Sequence, residues 1–315
     1  MLDRRHKFMK ICFMGSMKFA VPILEGLYNN HDVLLVVTQP DKPVGRKKTI
    51  TSTPVKNKAL ELGIKVFQPS SIKKDYSEIS DLDLDFIIVA AYGQMIPEIV
   101  LNHAKNRAIN VHASLLPKYR GGSPMHRAIQ NGDSKTGITI MYMRKKMDSG
   151  EILAQEEVNI TESDTVGTLE EKLSIVGRDL LIKTLKELPN IIPKTQDESQ
   201  VTYAYNIKPI EEHIDFSQTA KQIYNHVRAF NPWPLTYFLI DGLKVKLYSV
   251  KYIDKNISSN IGEIVEVKKD GFSIQTKNGL IQPKVLQLQG KKKMDVLSFM
   301  NGTGRTLFVK GKMVE

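Results

Sequence analysis

One short run of residues combines side chains that could transfer a proton and donate a hydrogen bond. Asn110 and His112 alternate with Ile109 and Val111 at the end of an apolar run, so a strand here would put both polar side chains on one face. An amide donates hydrogen bonds without titrating, and histidine exchanges a proton near neutrality, at a pH of roughly 6.5. An isolated Asn-x-His pair is weak evidence by itself, because such side chains often only satisfy the backbone of a loop.

A third candidate group lies further along the chain, in the sequence Met-Asp-Ser-Gly. Asp148 in this stretch could orient the imidazole of His112 or stabilise its charged form. Asp-Ser-Gly is also an ordinary turn signal, so the spacing alone leaves that second interpretation open. The three side chains form a candidate set for acid–base chemistry.

We expect an open α/β fold to position these residues. Residues 9–103 alternate apolar runs with amphipathic stretches, and the run DFIIVAAY is too continuous for a strand that faces solvent. This pattern predicts a Rossmann-like, doubly wound and mostly parallel sheet with helices on both faces. In such sheets the ligand site lies at the carboxyl ends of the strands, where Asn110 and His112 precede the Gly-rich turn at residues 121–122.

The first turn from strand to helix argues against a dinucleotide ligand. It reads GSMKFAVP and has a single glycine, whereas the pyrophosphate-binding turn of this fold needs three. We therefore expect neither NAD nor ATP. A metal is not expected either, because the seven histidines are scattered and the pattern HExxH does not occur.

The C-terminal part of the chain has a different character. Beyond about residue 190 the hydrophobic period is lost, and short strand-like runs then alternate with turn signals such as Asp241-Gly242. We predict a catalytic domain over 1–190, a linker over 191–205 and a small β-barrel domain over 206–315. The last region has 17 Lys and Arg against 10 Asp and Glu, within a net charge of +11 for the chain. This excess indicates either an anionic partner or a solubilising surface.

Composition indicates the compartment. The single cysteine, Cys12, cannot form an internal disulfide and fits a reducing environment. No apolar run approaches the roughly 20 residues that cross a bilayer, and the basic N-terminal stretch lacks the apolar core of a signal peptide. We expect a cytoplasmic monomer of bacterial type, or a protein of an organelle matrix, without a membrane partner.

The order of several short motifs resembles the folate-dependent formyltransferases. The motifs are N-x-H, SLLP, YRGGSP, NGD and MDSGEIL, in that order from residue 110 to residue 153. The resemblance runs from about residue 9 to the C-terminus, and FNPWP matches a mark of the C-terminal domain of the family, which has an oligonucleotide-binding-like barrel. Ala113, Ser123 and Phe216 stand where the family more often has Gly, Ala and Trp. These departures concern packing and none changes a candidate catalytic group.

The resemblance implies a donor, an acceptor and a reaction. The donor is 10-formyltetrahydrofolate, and the acceptor is the amino group of a charged initiator tRNA. In this reaction Asn110 is expected to donate to the oxyanion, His112 to act as base or as a protonated donor, and Asp148 to orient them. Two competing functions are formylation of a small amine, such as an amino-sugar nucleotide, and RNA binding without catalysis.

Two sets of binding residues also follow from the resemblance. The first would line the folate pocket, in a loop with an apolar wall and in the segment after the central strand: Ser114, Leu115, Leu116, Pro117, Tyr92, Gly93, Gln94, Met95 and Ile96. The second would contact tRNA, from a basic loop at residues 40–53 and a basic turn near residue 291: Arg46, Lys47, Lys48, Lys291, Lys292 and Lys293. Two prolines and a glycine are expected to prevent regular structure in the loop, and a merely solvated loop is the alternative.

Overall fold

The computed structural model describes residues 8–45, 48–255 and 257–315. These residues form two compact units. The first contains the described residues up to Pro124, together with Lys135–Asn159 and Glu170–Tyr205. The second contains Met125–Ser134, Ile160–Leu169 and the described residues from Asn206 to Glu315. The division therefore does not fall at one position in the sequence.

The first unit is built on a seven-stranded sheet of mixed direction. The strands of this unit, in chain order, are β1 (Lys10–Gly15), β2 (Asp32–Val37), β3 (Lys42–Val44), β4 (Thr49–Thr51), β5 (Val66–Phe67), β6 (Phe86–Ala90), β7 (Ala108–His112), β8 (Lys135–Tyr142) and β9 (Ile152–Asn159). The sheet has the order β5-β2-β1-β6-β7-β8-β9, parallel from β5 to β7, with β8 and β9 antiparallel. The strand order reverses between β1 and β6, which is the switch point of a doubly wound sheet.

Helices cover both faces of this sheet and confirm the predicted fold class. The helices described for both units, in chain order, are α1 (Val21–Asn30), α2 (Pro54–Glu61), α3 (Ser77–Ser80), α4 (Glu98–Leu101), α5 (Pro124–Asn131), α6 (Val166–Glu187), α7 (Ala220–Ala229), α8 (Val296–Met300) and α9 (Gly304–Leu307). Of these, α7, α8 and α9 lie wholly in the second unit. Ile79 of α3 and Val100 of α4 pack with Met14 on one face. On the other face a Cβ on Gly177 of α6 would lie 3.1 Å from the side chain of Val111. Across the described ranges, no helix combines the length and apolarity that a membrane span requires.

The basic loop at residues 40–53 contains regular structure, so the prediction that its prolines and glycine prevent it was wrong. Strands β3 and β4 pair antiparallel, with Pro43 opposite Ile50. Proline is tolerated there because an edge strand can turn the missing N–H away from its partner. Arg46 and Lys47 lie outside the described residues, and Lys48 is exposed, with a φ of 48°.

The second unit is an antiparallel sheet that closes on itself. Its strands are β10 (Thr236–Ile240), β11 (Leu243–Ile253), β12 (Ile264–Lys268), β13 (Gly271–Gln275), β14 (Leu280–Leu288) and β15 (Met294–Asp295), in the order β10-β11-β14-β13-β12 with β15 beside β14. The last residues of the chain bond to both edge strands. The N–H of Ile264 donates to Lys312 O at 2.8 Å, and the N–H of Leu239 donates to Glu315 O at 2.7 Å. This pairing gives the small β-barrel that the turn signals predicted.

Residues 191–205, interpreted from the sequence as a linker, belong to the first unit. Lys194 exchanges two backbone hydrogen bonds of 2.8 Å with Ile152 at the start of β9. Further on, the N–H of Ala204 donates to Arg120 O at 2.7 Å. The segment is thus held at both ends by backbone pairing.

Candidate active site

Strand β7 brings Asn110 and His112 to the carboxyl edge of the sheet. Asn110 lies opposite Val89 of β6 and Met141 of β8, and His112 lies opposite Thr139. Asn110 is 9 % exposed and His112 is 6 % exposed. Alternation along the strand gives both side chains the same face. Both polar groups therefore lie where little water screens their interactions.

The two ring nitrogens of His112 face different partners. Nε2 lies 3.0 Å from the backbone O of Tyr119, and because a carbonyl can only accept, Nε2 carries the hydrogen of this bond. Nδ1 lies 3.8 Å from Oδ2 of Asp148, which is too long for a direct hydrogen bond. A neutral ring thus turns its lone pair toward the carboxylate. A proton bound at Nδ1 would instead be attracted to Asp148.

Asp148 occupies the turn between β8 and β9 in a left-handed conformation. Its φ is 47°, in the left-handed region that is unfavourable for residues other than glycine, though least so for Asp and Asn. Its Oδ2 accepts a hydrogen bond of 2.8 Å from the backbone N–H of Gly121. Asp-Ser-Gly is therefore both a tight turn and the element that aims a carboxylate at His112.

The loop Ser114–Pro117 is fixed by the two antiparallel strands. The hydroxyl of Thr139 donates to Ser114 O at 2.7 Å and accepts from the N–H of Leu116 at 3.1 Å. The side chain of Gln155 donates to Leu116 O at 2.8 Å. The Ser114 hydroxyl donates to the carbonyl of Lys118, at 2.7 Å, so it shapes this loop. Leu116 is buried and Leu115 is half-buried, which gives the loop an apolar side.

The second predicted folate segment follows β6 directly. Because β6 neighbours β7, this segment begins at the same edge of the sheet as His112. Tyr92 is buried, and burial raises the pKa of its hydroxyl. The side chain of Gln39 donates to Tyr92 O at 2.9 Å, and a Cβ on Gly93 would lie 2.3 Å from the same amide nitrogen. Glycine at this position therefore allows Gln39 to hold the start of the segment.

The remaining residues of this segment alternate between inside and outside. Gln94 accepts a hydrogen bond of 2.9 Å from the N–H of Ile72, and Ile96 is buried. Met95 is 56 % exposed, so its side chain is accessible to a ligand. Gln94 and Ile96 thus hold the segment in place, whereas the side chain of Met95 is exposed and available for contact with a ligand.

The basic turn after β14 presents three lysines to solvent. Lys291, Lys292 and Lys293 are all exposed. The ammonium group of Lys293 lies 4.3 Å from the centre of the Tyr248 ring, within the range of a cation–π interaction. Local positive charge is therefore concentrated on this surface of the second unit.

Sequence reasoning missed the residues that hold the site together. Arg120 is 0 % exposed, and Gln196, which lies in the predicted linker, is 5 % exposed and accepts hydrogen bonds from it. The hydroxyl of Thr202 accepts from the N–H of Tyr119, the residue whose carbonyl bonds to His112. The partners are separated by 76 to 83 residues, and the linker segment has no hydrophobic period. Arg120 lies in the motif YRGGSP, which carried the family resemblance without a role for this side chain, and no local signal marked Gln196 or Thr202.

The arrangement is suited to acid–base chemistry on a substrate. A non-titrating amide, an imidazole and a carboxylate lie at the end of β7 and in the neighbouring turn. Cys12 is buried, and burial raises the pKa of its thiol, so it is not an available thiolate nucleophile. Within residues 8–45, 48–255 and 257–315, no group of three or more His, Cys, Asp or Glu side chains could hold a metal ion.

Comparison with known proteins identifies the family. The sequence profile of formyl transferases matches residues 9–185, and the profile of the formyl transferase C-terminal domain matches residues 206–304. The chain belongs to the formyl transferase family. The first match contains Asn110, His112 and Asp148, and the second contains all of the basic turn.

Relatives within the family match nearly the whole chain. Methionyl-tRNA formyltransferase of Streptococcus mutans is 46 % identical over 306 residues, which are 95 % of this chain and 97 % of that protein. The protein of the same name from Pediococcus pentosaceus is 45 % identical over 304 residues, 94 % of this chain and 95 % of that one. A solved N-formyltransferase from Helicobacter canadensis, in complex with folinic acid and dTDP-3-aminofucose, has a TM-score of 0.66 at 22 % identity, over 88 % of this chain and 99 % of that one. The last comparison shows the shared fold.

Proposed function

We propose that this formyl transferase moves the formyl group of 10-formyltetrahydrofolate to the amino group of methionyl-initiator tRNA and so supports translation initiation. Relatives with this activity in their names match it at 43–46 % identity over nearly the full length. The observation that carries the proposal is the placement of His112 beside Asp148, with Asn110 two residues earlier on the same strand face. That set supplies what formyl transfer to an amine demands.

The protein must stabilise the negative charge that develops on the formyl oxygen and remove a proton from the amine. The amine attacks the formyl carbon as a neutral nucleophile, negative charge develops on the formyl oxygen, and a proton leaves the nitrogen. Asn110 donates its amide hydrogen to this oxyanion. His112 takes the proton at Nδ1, where the carboxylate of Asp148, at 3.8 Å, stabilises the cation that forms. The folate nitrogen leaves with the electron pair of its bond to the formyl carbon and takes up a proton as His112 gives up the one it received, so the proton lost by the amine is balanced by the proton gained by the folate.

The folate binds against the two segments at the edge of the sheet. Leu115 and Leu116, held by Thr139 and Gln155, form one apolar wall with Pro117. The other side is the segment after β6, where Met95 is exposed: Tyr92, Gly93, Gln94, Met95 and Ile96. Ser114 acts through the shape of the loop, since its hydroxyl is engaged by Lys118 O.

The tRNA is contacted by both basic segments. In the sequence, Arg46, Lys47 and Lys48 stand between β3 and β4, and Lys291–Lys293 follow β14. A guanidinium binds phosphate in a bidentate manner or stacks on a base, which gives Arg46 a more specific contact than a lysine makes. The lysines of the basic turn bind phosphates without reading sequence. We further propose that the protein acts as a monomer in the cytoplasm of a bacterial-type cell.

Acceptor specificity tests the proposal. The purified protein is mixed with labelled formyl-folate and either methionyl-initiator tRNA or dTDP-3-aminofucose. N-acetyl-methionyl-initiator tRNA serves as a matched control, because it has the same RNA without a free amine. Transfer to methionyl-tRNA alone supports the proposal. Transfer to the amino sugar alone would make the protein a small-amine formyltransferase, and tRNA binding without any transfer would make it a non-catalytic RNA-binding protein.

A further inference from the structure

Gln196 is a buried side chain to which the proposed reaction gives no role. Its Nε2 donates to the backbone carbonyls of Asp148 and Gly150, each at 2.8 Å. Its Oε1 accepts from Arg120, at 3.0 Å from Nε and 2.8 Å from one terminal nitrogen. The amide thus makes four hydrogen bonds, and the reverse orientation would set its NH2 group against a guanidinium, so its orientation is determined.

These hydrogen bonds close a ring around Asp148. Gly121 follows Arg120 in the chain, and its N–H donates to Oδ2 of Asp148 at 2.8 Å. Asp148 is therefore held at its carboxylate by Gly121 and at its carbonyl by Gln196, and these two residues are joined through Arg120. Restraint at both ends matters because the left-handed φ of Asp148, 47°, is unfavourable without support from the surroundings.

The segment that carries Gln196 is itself anchored. Lys194 pairs with Ile152 at the start of β9. Glu198 contacts Arg120 at 2.8 Å and Lys146 at 2.7 Å, and these two cations lower the pKa of its carboxyl to about 2. The backbone on both sides of Gln196 is therefore held in place where its side chain contacts the Asp148 turn.

We propose that Gln196 is a positioning residue for formyl transfer, which sets the conformation of the Asp148 turn and thereby the separation of the Asp148 carboxylate from His112. The inference rests on the role proposed above for Asp148. Removal of Nε2 takes a donor from the carbonyls of Asp148 and Gly150. The turn then relaxes toward an ordinary φ, and the carboxylate moves away from the imidazole.

Gln196→Glu is the most informative substitution because it preserves the shape of the side chain. The carboxylate still accepts from Arg120, which favours folding, but it sets an oxygen against two carbonyl oxygens where the amide had a donor. We expect kcat to fall by about 10- to 100-fold, as for a reacting group misplaced by about 1 Å, with little change in KM for methionyl-tRNA.

Gln200→Glu is the matched control. It makes the same change in the same segment, at an exposed side chain whose amide donates to Asp197 at 2.8 Å. This variant should keep the kcat of the parent. Gln196→Met, of similar length without polar atoms, is the second test variant, and thermal denaturation establishes which variants fold. Failure of both Gln196 variants to fold would make Gln196 a residue of folding and overturn the proposal.

The decisive measurement is a double-mutant cycle with Asp148→Asn. If Gln196 acts through Asp148, kcat of the combined variant equals that of Asp148→Asn alone within a factor of about 2. A combined variant whose loss of kcat is the product of the two single losses would overturn the proposal. A parental kcat in the folded Gln196→Glu variant would overturn it as well. If Asp148→Asn lowers kcat while folded Gln196→Glu keeps the parental kcat, the Gln196 proposal is overturned and the role proposed for Asp148 stands. Fully active Asp148→Asn would remove the role of Asp148 and this inference with it.

Discussion

Gly121 is the position at which a single methyl group should disturb the site. An added Cβ would lie 2.6 Å from the carbonyl O of Ala204 and 3.0 Å from the carbonyl C. Both are backbone atoms of the segment that pairs with Arg120, so they cannot rotate away. Reaching ordinary van der Waals contact requires a displacement of about 0.8 Å.

The same displacement would detach Gly121 from Asp148. Its N–H lies 2.8 Å from Oδ2, and a shift of about 0.8 Å carries this contact beyond hydrogen-bonding range. A φ of 128° adds conformational strain for alanine. We expect Gly121→Ala to lower the free energy of unfolding of the first unit by about 2–5 kcal/mol. We expect kcat to fall by about 10- to 100-fold.

Gly63→Ala provides the control, because Gly63 has a φ of 69° but no atom within 4 Å of the added Cβ. It should lose about 1 kcal/mol from the backbone conformation alone and keep its kcat. Urea unfolding and steady-state formylation of methionyl-tRNA measure the two quantities in both variants. Equal kcat values for Gly121→Ala and Gly63→Ala would refute the steric argument.

Two further predictions concern the second unit. Burial lowers the pKa of His126 to about 4, so between its unfolded value near 6.5 and about 4 the unfolded chain binds the proton more tightly. The free energy of unfolding should therefore fall by about 3 kcal/mol as the pH drops through this window. Urea unfolding followed by Trp233 fluorescence measures it, and an equal dependence on pH in the parent and in His126→Phe would contradict the prediction. Replacing Lys291–Lys293 by glutamine should raise KM for tRNA and flatten its salt dependence through reduced counterion release, and unaltered values at two salt concentrations would exclude these lysines from the interface.

Local sequence patterns predicted the framework of the site. The continuous apolar run 86–90 became the central strand, and alternation placed Asn110 and His112 on one face, because both features depend only on the strand itself. The C-terminal barrel followed from turn signals in the same way. The ribbon at Lys42–Thr51 was missed because proline was treated as a breaker, although an edge strand accepts it.

The support of the site could not be predicted, because it comes from contacts between distant parts of the chain. Gln196 lies in a stretch without a hydrophobic period, yet its amide joins Arg120 to the turn of Asp148. The carbonyl of Tyr119, which selects the tautomer of His112, is a backbone atom that no residue pattern reveals. Residue types therefore indicated the candidate reacting groups, and only the fold showed which residues orient them.

The central claim is that Asn110 and His112 perform the chemistry of formyl transfer, and kcat of their alanine variants tests it most directly. The matched control is His103→Ala, since His103 lies in the same unit and its ring bonds to the carbonyl of Leu82 at 2.9 Å. Steady-state formylation of methionyl-tRNA should show kcat lowered by a factor on the order of 100 or more in His112→Ala and in Asn110→Ala, with His103→Ala close to the parent. Parental kcat in a folded His112→Ala or Asn110→Ala variant would contradict the account.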